Sequence, residues 1–340
     1  MSFPFPLACI LIAGAAAFMS YVLIALTIGP LRRHAEAEVT ARSSHSVATP
    51  QGAGVAIVPV ALAVAALGFM DSGQVPAGGA VYAGVVALLA LMLMVVGFID
   101  DMRSLSVIPR LVAQALAAGI AIALLPEDFR ILPTVVPVVI ERAALFIGAL
   151  WFVNLYNFMD GIDLISVVET IAVTLGVTLL AVFGVVPVAY GYVAVALLGA
   201  MLGFAPWNAP RARLFLGDAG SLPIGFLLAM LLIHVAAANA VAAAVILPLY
   251  YLADATLTLL RRLARGEKVW QAHREHFYQR ALRNGLTVTQ IIGRIAVLDA
   301  VLIALALGAA LHGTSWAGVA LAIAALAVGL TLRAFAKGPP

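Results

Sequence analysis

Residues 79–101 read GAVYAGVVALLALMLMVVGFIDD, twenty-one residues without a charge and then two aspartates. A helix needs about 20 apolar residues to cross the hydrocarbon core of a bilayer. Hydrocarbon does not solvate charge, so this stretch is read as a membrane-crossing helix that ends on an acidic pair at the membrane boundary. The same reading applies to ten further apolar runs, at approximately 5–29, 52–70, 111–125, 143–158, 164–183, 188–205, 222–235, 241–260, 291–311 and 317–332. The expected fold is therefore an all-α polytopic integral membrane protein of about eleven transmembrane helices, a single transmembrane domain over residues 1–340.

Composition agrees with that fold. Of 340 residues 64% are hydrophobic and only 10% charged, against roughly 25% charged in a soluble domain. The net charge of +3 comes from basic residues between apolar runs, which favours membrane orientation over nucleic-acid binding. The lone Cys9 permits no intrachain disulfide. No basic residue precedes the first apolar run, and that run is too long for a cleavable signal.

The connections fall into two sets. One is short and nearly uncharged, at 71–78, 126–142, 184–187, 236–240 and 312–316. The other is polar and basic, at 30–51, 100–110, 154–163, 206–221 and 261–290, with the tail from Arg333. Counting Arg294, the second set holds 17 of the 19 Lys and Arg residues, leaving only Arg130 and Arg142 for the first. Basic loops stay cytoplasmic. The N-terminus is expected outside and the C-terminus in the cytoplasm, which requires an odd number of spans.

That topology gathers five acids at one membrane face: Asp100 and Asp101, Asp160 and Asp163, and Asp218. Acids at a membrane boundary are costly and usually functional. Five together repel unless a cation bridges them, and hard oxygen ligands suit Mg²⁺ or Mn²⁺. Adjacent Asp100 and Asp101 point about 100° apart on a helix, so one can face a metal and the other a substrate. In Asn154-Leu155-Tyr156-Asn157-Phe158-Met159-Asp160-Gly161-Ile162-Asp163 the polar residues recur every third position. That spacing places Asn154, Asn157 and Asp160 on one side of a helix, and Gly161 is expected to break the helix so that Asp163 returns to it. In Leu216-Gly217-Asp218-Ala219-Gly220-Ser221 the glycines permit a tight turn around Asp218 and Ser221 is placed to cap the next helix. A helix start there would also attract phosphate. His273 and His276 share a helical face with Arg280 one turn on. With Arg274 they form a candidate diphosphate grip, the weighed alternatives being a lipid-headgroup face and a zinc pair. Arg42-Ser43-Ser44-His45 and Pro50-Gln51-Gly52-Ala53-Gly54 offer small residues for close approach of a substrate or a helix.

Taken together, these segments resemble the polyprenyl-phosphate N-acetylhexosamine-1-phosphate transferases, bacterial glycosyltransferase family 4, from about Arg42 to Arg280. The loop His273-Arg274-Glu275-His276-Phe277-Tyr278-Gln279-Arg280 resembles the branch that initiates O-antigen or capsule repeats. The resemblance implies transfer of N-acetylhexosamine-1-phosphate from a UDP-sugar to undecaprenyl phosphate with release of UMP, at the cytoplasmic face of the bacterial inner membrane. It implies Asp100, Asp101, Asp160 and Asp163 as catalytic, Asp218 as metal ligand, and Asn154, Asn157, His45, His273, Arg274, His276 and Arg280 as substrate-binding. Mg²⁺, or Mn²⁺, is the implied cofactor. UDP-N-acetylhexosamine, undecaprenyl phosphate and the lipid bilayer are the implied partners, with no nucleic acid and with a homodimer left open. Two positions depart from the family pattern: Leu164 stands where a second glycine usually follows Asp163, and Gln51 where an arginine usually follows Pro50. A secondary transporter and a phospho-N-acetylmuramoyl-pentapeptide transferase are the alternative readings.

Overall fold

The computed structural model describes residues 4–37, 49–71, 79–132, 135–268 and 273–337. In chain order its elements are α1 (Phe5–His34), β1 (Glu36–Ala37), β2 (Thr49–Pro50), α2 (Gly54–Asp71), α3 (Gly79–Arg103), α4 (Val107–Ala123) and α5 (Val138–Met159). There follow α6 (Ile165–Val182), α7 (Val188–Asn208), α8 (Asp218–Ala237), α9 (Val241–Ile246), α10 (Leu249–Ala264), α11 (Phe277–Arg283), α12 (Val288–Leu311) and α13 (Thr314–Lys337). Apart from the two-residue antiparallel ladder β1–β2, in which Glu36 faces Pro50, the described chain is helix and connection.

Among the described residues, eight helices are long and apolar enough to cross a membrane: α1, α3, α5, α6, α7, α8, α12 and α13. The apolar parts of α2 and α4 are shorter. The ninth expected span, 241–260, is not one helix. It breaks into α9 and α10 at Leu247 and Pro248, because proline lacks the N–H that the ladder needs and crowds the carbonyl four residues back.

The buried share of each helix fixes its place. The apolar window of α8 is buried throughout, whereas those of α1, α3, α5 and α13 are buried for only 22% to 28%. So α8 is the central helix, with α2, α3, α5, α6 and α9 around it, while α7 packs against α1, α2 and α6. The α12–α13 hairpin closes one side against α6 and α9. Outward-facing Leu, Val, Ile and Phe on the peripheral helices are what a lipid-facing surface requires.

Glycines let three helices meet at one point. A Cβ on Gly97 of α3 would stand 2.1 Å from the Asp218 carbonyl oxygen, and one on Gly54 of α2 would stand 2.1 Å from that of Ala219. Backbone thus touches backbone where α2, α3 and the first turn of α8 cross, the use of small residues typical of membrane helix packing. This crossing brings the C-terminal end of α3 onto the N-terminal end of α8.

Candidate active site

At that crossing the acids of α3 meet the acid of α8. Asp101 accepts the backbone N–H groups of Asp218 (2.9 Å) and Ala219 (3.0 Å), one on each carboxylate oxygen. It thereby satisfies two of the donors that a helix N-terminus leaves open. The cap that Ser221 was expected to supply comes from Asp101 instead, and Ser221 lies inside α8, accepting from Asn157 Nδ2 (2.8 Å). The same contact spends the N–H groups expected to attract phosphate. Gly217 holds φ +71, and a Cβ there would lie 2.4 Å from Asp101 Oδ2. The tight turn read from Gly217 is present, whereas Gly220 serves close packing against Leu216 and Gly54.

Asp100 and Asp218 converge on a single cationic nitrogen. Arg110 Nη1, on the first turns of α4, donates to Asp100 Oδ2 at 2.8 Å and to Asp218 Oδ2 at 2.7 Å. Asp100 Oδ1 accepts the Leu105 N–H, and Asp218 Oδ1 accepts from Asn157 Nδ2 at 2.8 Å. The two carboxylates therefore come together as expected, around a guanidinium. Among the described residues no group of three or more His, Cys, Asp or Glu side chains gathers as a metal site. The donor set still fits a magnesium-type ion: two hard oxygens from different helices already lie within 2.8 Å of one positive centre. Such an ion commonly takes one or two carboxylates and completes its shell with water and substrate phosphate.

Asn154 and Asn157 line one cavity of about 370 Å³ between α4, α5 and α10, together with Arg110, Gln114, Trp151 and Leu259. Its walls are mostly apolar, with Arg110 and Asn157 joining it to the acids. Asn154 donates to Gln114 Oε1 (2.7 Å) and so ties α5 to α4 without touching an acid.

Asp160 ends α5 and accepts the Ser166 hydroxyl at 2.7 Å. Burial pushes its carboxyl up to about 7, against the Ser166 hydrogen bond, with Asp218 and Asp163 adding to the rise. Asp163 is buried and accepts the Ala212 N–H (3.2 Å), holding the 209–216 turn. The helix break expected at Gly161 is present, since α5 ends at Met159, and the position also needs glycine for space, because a Cβ would run into the Tyr278 hydroxyl. Leu164, at the family's glycine position, adopts φ +65, the left-handed region that costs a side-chain-bearing residue about 1–2 kcal/mol. Its N–H donates to Asn208 Oδ1 (2.7 Å), so the turn keeps the glycine-type backbone without the glycine. Gln51, at the family's arginine position, donates to the Asp101 carbonyl (3.0 Å).

The histidines come together differently from the helical spacing expected of them. Residues 273–275 are not helical and α11 starts at Phe277, yet the His273 and His276 rings lie 4.8 Å apart. Asp254 of α10 organises the turn. It accepts from His276 Nδ1 (3.1 Å), the N–H groups of Phe277 (3.0 Å) and Tyr278 (3.2 Å), and the Tyr250 hydroxyl (3.3 Å). Burial, with the charges of His276 and Arg262, pulls His273 down to about 4. The Glu275 N–H approaches its Nδ1 (3.3 Å), which leaves Nε2 as the N–H donor of a neutral ring. Arg280 stacks over Phe277, with Arg261 also over that ring. Arg274 lines a separate cavity of about 270 Å³ with Gln279, Leu282 and Arg283. Tyr278 O–H reaches the Phe158 carbonyl (3.5 Å) and joins this loop to the Asp160 turn. His45 lies outside the described residues.

Sequence reasoning missed Arg110 and Asp254. In the sequence Arg110 is one basic residue of a polar connection, with nothing to pair it with Asp218. Asp254 is an acid inside an apolar run, a signal that marks function by default in a membrane.

The family model described as glycosyl transferase family 4 matches residues 83–236, a stretch that contains all five site aspartates. The chain is similar to the probable undecaprenyl-phosphate N-acetylglucosaminyl 1-phosphate transferase of Bacillus subtilis, with 24% identity over 314 residues, 84% of each chain. It is similar to the decaprenyl-phosphate N-acetylglucosaminephosphotransferase of Mycobacterium tuberculosis, with 28% identity over 288 residues, 74% of this chain and 70% of the relative. Over 133 residues it is 33% identical to the phospho-N-acetylmuramoyl-pentapeptide-transferase of Mycolicibacterium smegmatis, covering 38% and 35%.

Proposed function

Because the chain belongs to the polyprenyl-phosphate N-acetylhexosamine-1-phosphate transferases of glycosyl transferase family 4, we propose that it transfers N-acetylhexosamine-1-phosphate from a UDP-sugar to undecaprenyl phosphate, releasing UMP. It is a sugar-phosphate transferase, and the transporter reading falls with that. The observation that carries the reaction is the convergence of Asp100 and Asp218 on one cationic point at the mouth of a mostly apolar cavity. A lipid phosphate needs an apolar groove for its tail and positive charge at the groove's mouth.

Two anions must meet, so neutralising charge is the main difficulty. Mg²⁺ or Mn²⁺, held by Asp218 and Asp100, would supply that neutralisation for the diphosphate and the departing UMP. Asp101, with both oxygens engaged by α8, acts by holding the Asp218 backbone in place. Asn157 orients Asp218 through its Oδ1. Arg110, at the groove mouth, attracts the lipid phosphate. Asp100 is the acid placed to take its proton. Asp160 and Asp163 shape the turn that receives the nucleotide sugar, with Asn154 bracing the groove wall. His273 offers a neutral N–H donor, and His276, Arg274 and Arg280 complete the phosphate-binding loop, with His45 expected to join them.

The named relatives favour N-acetylglucosamine as the sugar, and the His273–Arg280 loop favours an O-antigen or capsule-type pathway over peptidoglycan. The orientation follows from the basic loops: eleven crossings, with α9 and α10 together as the ninth, the N-terminus outside, and the site at the cytoplasmic face of the inner membrane. Incubating the purified chain with undecaprenyl phosphate and a panel of UDP-N-acetylhexosamines tests this. A lipid product heavier by one N-acetylhexosamine phosphate, with UMP in equal amount, is expected. Product from UDP-N-acetylmuramoyl-pentapeptide alone would overturn the sugar assignment.

A further inference from the structure

Two acids stand apart from the phosphotransfer cluster. Glu169 lies one helical turn beyond Ser166 on α6, and Asp299 lies midway along α12, a helix that packs against α6. Glu169 is 1% exposed and Asp299 2%. None of their four carboxylate oxygens has a hydrogen-bond partner among the described residues, and Asp299 is the charge that acts on Glu169 across the packed α6 and α12 helices. Hydroxyls near them are committed elsewhere. Tyr251, beside Glu169, pairs with Ser166 (3.3 Å), and Tyr250, beside Asp299, donates to Asp254 (3.3 Å).

Two ionised carboxylates cannot face one another at this depth without compensation. A divalent metal held by one or two carboxylates completes its shell with water and substrate, whereas these two side chains are buried from solvent between helices and no third acid, imidazole or thiolate joins them among the described residues. Two protons suffice with nothing added. Each carboxylic acid then donates one O–H and accepts one, and the reciprocal pair satisfies all four oxygens. We propose that Glu169 and Asp299 form a proton-binding site, a reciprocally hydrogen-bonded carboxylic acid pair that joins α6 to α12 in the membrane interior. Its consequence reaches the active-site loop. The pair fixes the α12–α13 hairpin to the core, and α13 in turn holds Asn284, at the end of α11, through the Phe335 carbonyl (3.0 Å).

Infrared spectroscopy of the full chain in nanodiscs at neutral pH tests the site, with the carbonyl band of protonated carboxyls as the readout. Among the protonated-carboxyl bands of the parent, two should be slow to shift in D₂O. Glu169→Gln and Asp299→Asn should each remove one. Spectra unchanged by either substitution would overturn the proposal, and so would a parent that lacks the bands, which needs no variant to fold. Unfolding midpoints supply the second readout. The double amide variant can exchange the same two donors and acceptors, so it should unfold within a few degrees of the parent, whereas Glu169→Ala should unfold lower. Added Mg²⁺, Ca²⁺ or Na⁺ should shift parent and double variant equally. A shift confined to the parent would assign the pair to a metal and refute its protonation.

Discussion

At the scale of single residues the site turns on a competition for one point. Arg110 Nη1 occupies the position between Asp100 and Asp218 that a divalent ion would take. Arg110→Ala leaves two partly buried carboxylates facing each other without their shared donor, at a cost of about 1–3 kcal/mol. The variant should unfold at lower temperature without metal, and Mg²⁺ should raise its midpoint more than it raises the parent's. Equal Mg²⁺ shifts would show that the ion does not sit between these carboxylates. Asp160 gives a second residue-scale outcome. Its carboxyl sits near 7, so ionisation is lost as pH falls through that value. If the ionised form serves the reaction, kcat/KM should drop about tenfold per pH unit below neutrality. A pH–rate profile of Asp160→Asn should lack that limb, and an unchanged limb would assign it to another group.

Among the secondary-structure elements, the shortest helix depends most on its neighbours. Seven residues cannot sustain α11 alone, and Asp254 of α10 anchors its first turn while holding His276. An amide at this position keeps one acceptor oxygen and turns an NH₂ toward donors. Asp254→Asn should therefore lose about 1–3 kcal/mol, open the 273–276 segment to protease and raise KM for the nucleotide sugar. Parent-like values of all three would remove Asp254 from the loop's support. The break between α9 and α10 belongs to this scale too. Pro248 marks the break in the sequence, but it stands inside a continuous apolar run over 241–260 that has the length of one crossing. The α3–α8 contact was hidden for a different reason. Gly54 and Gly97 are ordinary small residues in a membrane sequence, and only the crossing shows which ones touch backbone.

For the whole molecule, charge and hydropathy made the fold class legible, because a bilayer punishes misplaced charge more than water does. The acids were legible as well, since Asp100, Asp101, Asp160, Asp163 and Asp218 interrupt or end apolar runs. Their partners were not, because pairing across helices distant in sequence, as between Arg110 and Asp218, leaves no spacing to read. Orientation has its own measurement. The chain's lone cysteine, Cys9, is buried in α1, so single introduced cysteines can be read cleanly. A membrane-impermeant maleimide should label Ala209→Cys only in inverted vesicles and His312→Cys only from outside intact spheroplasts, and the reverse pattern would invert the topology. The most direct measurement concerns the cation proposed to lie between Asp100 of α3 and Asp218 of α8. Purified chain stripped with chelator should release no UMP from UDP-N-acetylglucosamine and undecaprenyl phosphate, and Mg²⁺ should restore release. Asp218→Asn and Asp100→Asn should each fall by about 10³-fold while remaining folded. UMP release by Asp218→Asn at the parent rate, or by the parent without any divalent ion, would contradict the shared cation site.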